Sequence, residues 1–403
     1  MTRGRRWRAW MGAVAALALA TSACSGGGSG SSGEEPAPDA VATSAAPLIP
    51  EETELPTALP SDVLAGEMQD LAKLAERLSQ ELPAQRRPTP IAVAPGSEQW
   101  QVGAAYRGYF ADPDIVRHGG RWYAYATNTS HLRLPTLVSR DLRTWTPLTD
   151  GTGRKVDPLQ PAGWVQGRGG GQNLWAPGVA KVGDGWTAAY SAPAGTSGGE
   201  RHNCIGLSRG ASPAGPFRPV GEPLCYGQAQ LGVIDPDVFV DDAGVPWLLW
   251  KFSGVVNRRP AGVFIRQLSR NGDGFADGSE TRELLTLAES WEGDTIENPS
   301  MVQFRGVTYL FFSGNSWENA SYATGYAICA GPTGPCVRQN RGAPFLTTAS
   351  TGHPGPGGAT AFVDGSSLRL IYHAWDRVGH LRRLHVAGLW QREDGTLEVV
   401  DPG

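Results

Sequence analysis

The chain has 403 residues, enough for a large buried core with appendages, and its 35 basic against 39 acidic side chains leave it at −4. Four arginines within the first 23 residues have no acidic neighbour there, so the rest is more acidic still and lacks the basic footprint of a nucleic-acid binder. With 54 glycines and 14 tryptophans but few long periodic segments, short strands and tight turns are favoured over helices.

Residues 1–23 read as a lipoprotein signal peptide. Arg3, Arg5, Arg6 and Arg8 form a positive start, and Met11 to Leu19 an apolar stretch too short to span a bilayer comfortably. Thr21-Ser22-Ala23-Cys24 is similar to the lipobox of bacterial lipoproteins, where the cysteine becomes the first residue and its thiol is acylated. The expectation is an extracellular protein anchored to the outer face of the membrane through lipid on Cys24. Residues 24–60, rich in Gly, Ser, Pro, Ala and Glu, cannot bury enough apolar surface to order and read as a flexible tether. Over 61–84 a helix is predicted, with Ser61 as N-cap and Leu64, Met68, Leu71, Ala75, Leu78 and Leu82 spaced by three and four. Residues 85–100 are a linker. The remaining cysteines, Cys204, Cys225, Cys329 and Cys336, form an even set suited to an oxidising exterior. Of three pairings the local one, Cys204 with Cys225 and Cys329 with Cys336, is preferred. No cysteine or histidine spacing suggests zinc, and no metal is expected.

From residue 101 to the end one pattern returns five times. Asp112-Pro113-Asp114-Ile115-Val116, Ala176-Pro177-Gly178-Val179-Ala180, Asp235-Pro236-Asp237-Val238-Phe239, Asn298-Pro299-Ser300-Met301-Val302 and Gly357-Gly358-Ala359-Thr360-Ala361 each precede a Gly/Asp turn and a second strand, aromatic in most units. A strand, a hairpin turn and a second strand recurring at roughly 60 residues fit one four-stranded blade per unit. The fold class is therefore all-β, a five-bladed β-propeller; a β-sandwich would not need matched hairpins at this spacing.

In a propeller the innermost strands converge on the axis, so equivalent positions of different units face one cavity. The position before the repeated proline is Asp112, Ala176, Asp235 and Asn298 in the first four units, with Glu297 one residue earlier in the fourth. An Asp-Pro pair alone reads as a turn cap. Its recurrence at equivalent positions, with a Glu-x-Pro in the fourth unit, points to a set of carboxylates gathered for acid–base chemistry at a glycosidic bond.

The stretch from about 105 onward resembles the family 43 glycoside hydrolases, the arabinanase, α-L-arabinofuranosidase and β-xylosidase group. The motifs carrying the resemblance are Ala111-Asp112-Pro113-Asp114-Ile115-Val116-Arg117, Ser139-Arg140-Asp141-Leu142-Arg143-Thr144-Trp145 and Leu174-Trp175-Ala176-Pro177, then Ile234-Asp235-Pro236-Asp237-Val238-Phe239, Ile296-Glu297-Asn298-Pro299 and Tyr372-His373-Ala374-Trp375. It implies inversion at arabinofuranosyl or xylosyl linkages, with Asp112 as general base, Glu297 as general acid and Asp235 tuning the pKa and orientation of the donor. No cofactor is required. The family often has Asp where Gly178 stands, and a histidine near Gly355-Pro356-Gly357-Gly358 that helps hold an axial ion; its absence argues against an axial calcium, unless His353 compensates. Trp175, beside the second Ala-Pro, and Phe110, before the base, are expected to shape the sugar pocket, whereas Trp122, Trp186 and Trp247 belong to blade cores. His373 either lines the pocket floor or satisfies a buried hydrogen bond. The partners expected are a polysaccharide or oligosaccharide and, through Cys24, the membrane; the propeller itself is expected to be a monomer.

Two other readings remain. Fructan-cleaving propellers also use three carboxylates but retain configuration, and usually show Arg before the second Asp-Pro and Cys within Glu-x-Pro; Ile234 and Asn298 stand there. A catalytically silent carbohydrate-binding propeller would not need all three carboxylates.

Overall fold

The computed structural model describes residues 85, 104–166, 173–197, 200–226, 231–376 and 379–401, and within them each repeat is a four-stranded antiparallel sheet. Blade 1 comprises β1 (Asp114–His118), β2 (Arg121–Tyr125), β3 (Thr136–Ser139) and β4 (Thr146–Pro147). Blade 2 holds β5 (Trp175–Val182), β6 (Gly185–Ser197), β7 (Glu200–Gly210) and β8 (Arg218–Cys225). Blade 3 holds β9 (Val233–Val240), β10 (Pro246–Phe252), β11 (Gly262–Gln267) and β12 (Arg282–Thr286). β13 (Ile296–Phe304), β14 (Val307–Gly314), β15 (Ala323–Cys329) and β16 (Cys336–Arg338) make blade 4, and β17 (Gly357–Asp364), β18 (Ser367–Trp375), β19 (Arg382–Gln391) and β20 (Leu397–Asp401) make blade 5. The five-bladed propeller is thus as the repeats predict. The signal peptide, Cys24, the tether and the helix over 61–84 lie outside the described residues.

Burial explains why the second strands are so apolar. Each blade packs between two others, so both faces of its second strand leave water, and β10 and β14 are buried almost end to end. The core is divided accordingly into five apolar clusters, one at each junction: blades 1 and 2, 2 and 3, 3 and 4, 4 and 5, and 5 and 1. Trp122 and Trp186 are buried in two of them, while Trp247 is half-buried with its indole N–H on Asp241.

Each blade is built from consecutive strands, so the ring closes without a shared strand among the described residues. The junction of blades 5 and 1 is instead strapped from outside: the backbone N–H groups of Ala105 and Phe110 donate to Leu384 and Arg382 carbonyls on β19. Gln85 exchanges two further hydrogen bonds with Gln391. Both disulfides pair as preferred, Cys204 with Cys225 and Cys329 with Cys336, each joining the third and fourth strands of its blade.

Candidate active site

The site begins with a bulge that every blade repeats. In blades 2 to 5 two residues of the first strand stand opposite one of the second: Ala176-Pro177 against Tyr190, Asp235-Pro236 against Trp250, Asn298-Pro299 against Phe312 and Gly358-Ala359 against Tyr372. Proline has no N–H to lose there, which is why a bulge tolerates it. The first bulge residue adopts a left-handed backbone in all five blades, with φ of 49° at Asp112, 41° at Ala176, 55° at Asp235, 48° at Asn298 and 56° at Gly358. Such values are uncommon outside glycine and persist only where surrounding contacts hold them.

Those contacts form a ring. The Asp112 N–H donates to His373 Nδ1 (3.0 Å), that of Ala176 to Thr127 Oγ1 (3.0 Å), that of Asp235 to Ser191 Oγ (2.8 Å) and that of Gly358 to Ser313 Oγ (2.9 Å). Each acceptor belongs to the preceding blade. At the corresponding place in blade 3 stands Lys251, which has no lone pair to offer, and the Asn298 N–H donates instead to Asp235 Oδ2 (3.1 Å). Lys251 is thereby released to face Glu297.

The bulges bring Asp112 and Asp235 to a narrow axial cavity, lined also by Ala176, Asn298, Gly358 and Thr360. Asp112 Oδ2 accepts from the Thr127 hydroxyl (2.6 Å), and its Oδ1 lies 3.3 Å from the Arg382 guanidinium. Glu297 stands beside this cavity, with Oε2 on Lys251 Nζ (2.8 Å) and Oε1 accepting from the Tyr322 hydroxyl (2.8 Å). Tyr322 in turn accepts from Asn298 Nδ2 (3.0 Å), and Lys251 also donates to Thr295 (2.7 Å). Burial, then the charge of Glu297, raises the Asp235 carboxyl to about 8, against the lowering pull of Lys251. Burial likewise pushes the Tyr322 hydroxyl well above its usual range, so it stays a donor.

The three predicted carboxylates therefore come together, Asp235 and Glu297 buried and Asp112 partly open. Trp175 is half-buried next to Ala176, where the sequence places it. One expectation changes. Phe110 is 1 % exposed and belongs to the core at the junction of blades 5 and 1, because the strap draws it inward, so it offers no face to a sugar. His373 is fully buried behind Asp112, and of its two readings the buried hydrogen bond holds. Burial and then Arg382 keep its imidazole far below the usual range, hence neutral, so its 3.4 Å approach to the Asp112 carboxylate is not an ion pair. His353 packs at a tilt against His385 of β19, two strands out from the axis, and does not replace the missing axial imidazole. With Gly358 and Thr360 facing the cavity from blade 5, the residues present do not fit a histidine-held ion.

Lys251, Tyr322, Arg382 and Thr127 were not singled out by the sequence. Lys251 had a signal, being a lone cation closing an apolar strand at the position of Ser191, Ser313 and His373. Tyr322 and Arg382 share one place too, at the entry to the third strand, opposite the residue after Gly314 and opposite Trp375.

The sequence pattern of glycosyl hydrolases family 43 matches residues 105–396. The chain belongs to that family. This glycoside hydrolase is 25% identical over 280 residues to an extracellular endo-α-(1→5)-L-arabinanase of Bacillus subtilis (strain 168), covering 66% of this chain and 80% of that one. Among solved structures, an endo-1,4-β-xylanase from Bacteroides thetaiotaomicron superposes with a TM-score of 0.59 at 26% identity, over 74% of this chain and 96% of that one. A Cellvibrio cellulosa α-L-arabinanase complexed with arabinohexaose shares the fold at 19% identity and a TM-score of 0.58, over 73% of this chain and 96% of that one.

Proposed function

We propose that this family 43 hydrolase cleaves arabinofuranosyl or xylosyl linkages of polysaccharides with inversion, outside the cell and tethered through lipid on Cys24. The observation that carries the mechanism is the unequal holding of the three carboxylates. Asp112 accepts the Thr127 hydroxyl and lies against the Arg382 guanidinium, contacts that fix the direction of its carboxylate. Asp235 is raised to about 8 beside Glu297, so that pair retains one proton at neutral pH.

In the reaction Asp112 takes a proton from a water that attacks the anomeric carbon, and Glu297 delivers the pair's proton to the departing glycosidic oxygen. Exchange with solvent then returns Asp112 to its ionised form and reprotonates the pair. Asp235 tunes the pKa and orientation of the donor, while Lys251, Tyr322, Thr127 and Arg382 are positioning residues. No cofactor enters the chemistry. The arabinofuranosyl and xylosyl preference rests on the named relatives.

Chromogenic arabinofuranosides and xylosides, with arabinan and xylan, test this reading. Asp112→Asn and Glu297→Gln are each expected to reduce turnover by roughly 10²–10⁴-fold while melting as the wild type does. The first product released should carry the opposite anomeric configuration by NMR. Saccharide binding without hydrolysis of any substrate would instead identify a silent carbohydrate-binding propeller.

A further inference from the structure

Trp317, in the loop between β14 and β15, is 41 % exposed, whereas the other tryptophans around the axis are mostly covered. Its ring is not loose. Trp375, closing β18, lies nearly parallel at 6.3 Å and 17°, and the Trp375 indole N–H donates to the Trp317 carbonyl (2.8 Å). The Arg382 guanidinium carbon sits 4.4 Å from the Trp317 ring centre. That guanidinium is the one whose other nitrogens reach Asp112 Oδ1 (3.3 Å) and the Tyr109 hydroxyl (2.7 Å). One cation therefore lies between the carboxylate of the base and an open, oriented indole.

An exposed apolar side chain by itself needs no explanation. Leu231, Val256 and Val363 are similarly open without any such meaning. Trp317 differs because two aromatic and cationic neighbours fix its plane, and because its cation also holds the base. A flat ring held in advance loses little freedom when a ligand stacks on it. The flat apolar C–H face of a sugar ring suits such a surface, and the polar edges of the same sugar can meet Arg382 and Tyr109.

We propose that Trp317, backed by Trp375 and seated on Arg382, is a saccharide-binding platform for the sugar next to the bond that is cut. This rests on the glycosidase reading above, and it places the recognition of a chain at the rim between blades 4 and 5.

The test uses Trp317→Ala, Trp317→Leu and Trp317→Phe, with arabinohexaose and xylohexaose as probes. Binding is read by calorimetry in a Glu297→Gln background and hydrolysis by steady-state kinetics of the otherwise wild-type chain. For whichever oligosaccharide is cleaved, Trp317→Ala is expected to weaken binding and lower kcat/KM about tenfold, entering through KM, with an unchanged melting temperature. Phe should restore most of the loss and Leu should not, since only Phe keeps a flat ring. Equal KM in the wild type and Trp317→Ala, or rescue by Leu as good as by Phe, overturns the platform and leaves the hydrolase intact. Binding that depends on Trp317 without hydrolysis overturns the hydrolase and leaves the platform. Failure of the Glu297→Gln chain with Trp317 intact to bind either oligosaccharide overturns the platform.

Discussion

A single residue type decides how the acid side of the site works. Where the four other blades place a hydroxyl or an imidazole to catch a backbone N–H of the next blade, blade 3 places Lys251. Its ammonium is buried, lies 2.8 Å from Glu297, and is held charged chiefly by Glu297 and Asp235 against the cost of burial. Replacing it by methionine keeps the apolar stem and removes the charge that lowers Asp235. The carboxyl pair then ionises at higher pH. For Lys251→Met we expect kcat/KM to fall about 10- to 100-fold, from loss of orientation at Glu297, and the alkaline limb of its pH profile to move upward. A limb that stays in place would separate Lys251 from the proton donor. This residue also marks where sequence legibility ends. The proline-marked bulges exposed Asp112 and Asp235 because the repeat aligns first strands; Tyr322 and Arg382 enter from third strands, whose sequences carry no shared mark.

At the scale of the strand, the bulge converts a common dipeptide into a site. Two residues beyond it, the side chains tie one blade to the next: Asp114 Oδ2 accepts from the Val179 N–H (2.6 Å), Asp237 Oδ2 from that of Met301 (2.9 Å) and Ser300 Oγ from that of Ala361 (3.1 Å). Blade 2 presents Gly178 at the same place. A Cβ there would lie 2.6 Å from the Pro236 carbonyl oxygen and 2.8 Å from Asp237 Cα, so β5 and β9 approach too closely for any side chain. The departure from the family's usual aspartate is thus a packing solution, and the sequence alone showed the change without its cause. Gly178→Ala is expected to destabilise the propeller by about 1–3 kcal/mol, as overpacking against rigid backbone does. Chemical denaturation would check it, and an unchanged midpoint would mean that β5 can shift.

Across the whole molecule these ties carry a pH signature. Asp114 and Asp237 are buried, with no cation against them among the described residues; burial raises Asp114 from an ordinary 3.8 to about 7, and burial and then the charge of Asp114 raise Asp237 to about 8. Each is therefore protonated in the folded chain at pH values where the unfolded chain has released the proton. The folded state binds more protons between the two values, so stability falls as pH rises through that window. His373 and His202, held below their usual range, act in the opposite sense, but that gain is complete once the unfolded imidazoles are neutral, above about pH 6.5. Asp141, Asp376 and Asp394 are lowered by hydrogen bonds, and their contribution is already in place above about pH 4. The carboxyls buried on the axis thus govern the neutral and mildly alkaline range. Asp237→Asn keeps an oxygen for the Met301 N–H and removes the titration. Its unfolding free energy should match the wild type near about pH 4 and exceed it increasingly toward about pH 8, by an amount on the order of a few kcal/mol. Calorimetry of both proteins across that range decides the matter, since parallel curves would mean that Asp237 is ionised in the folded propeller.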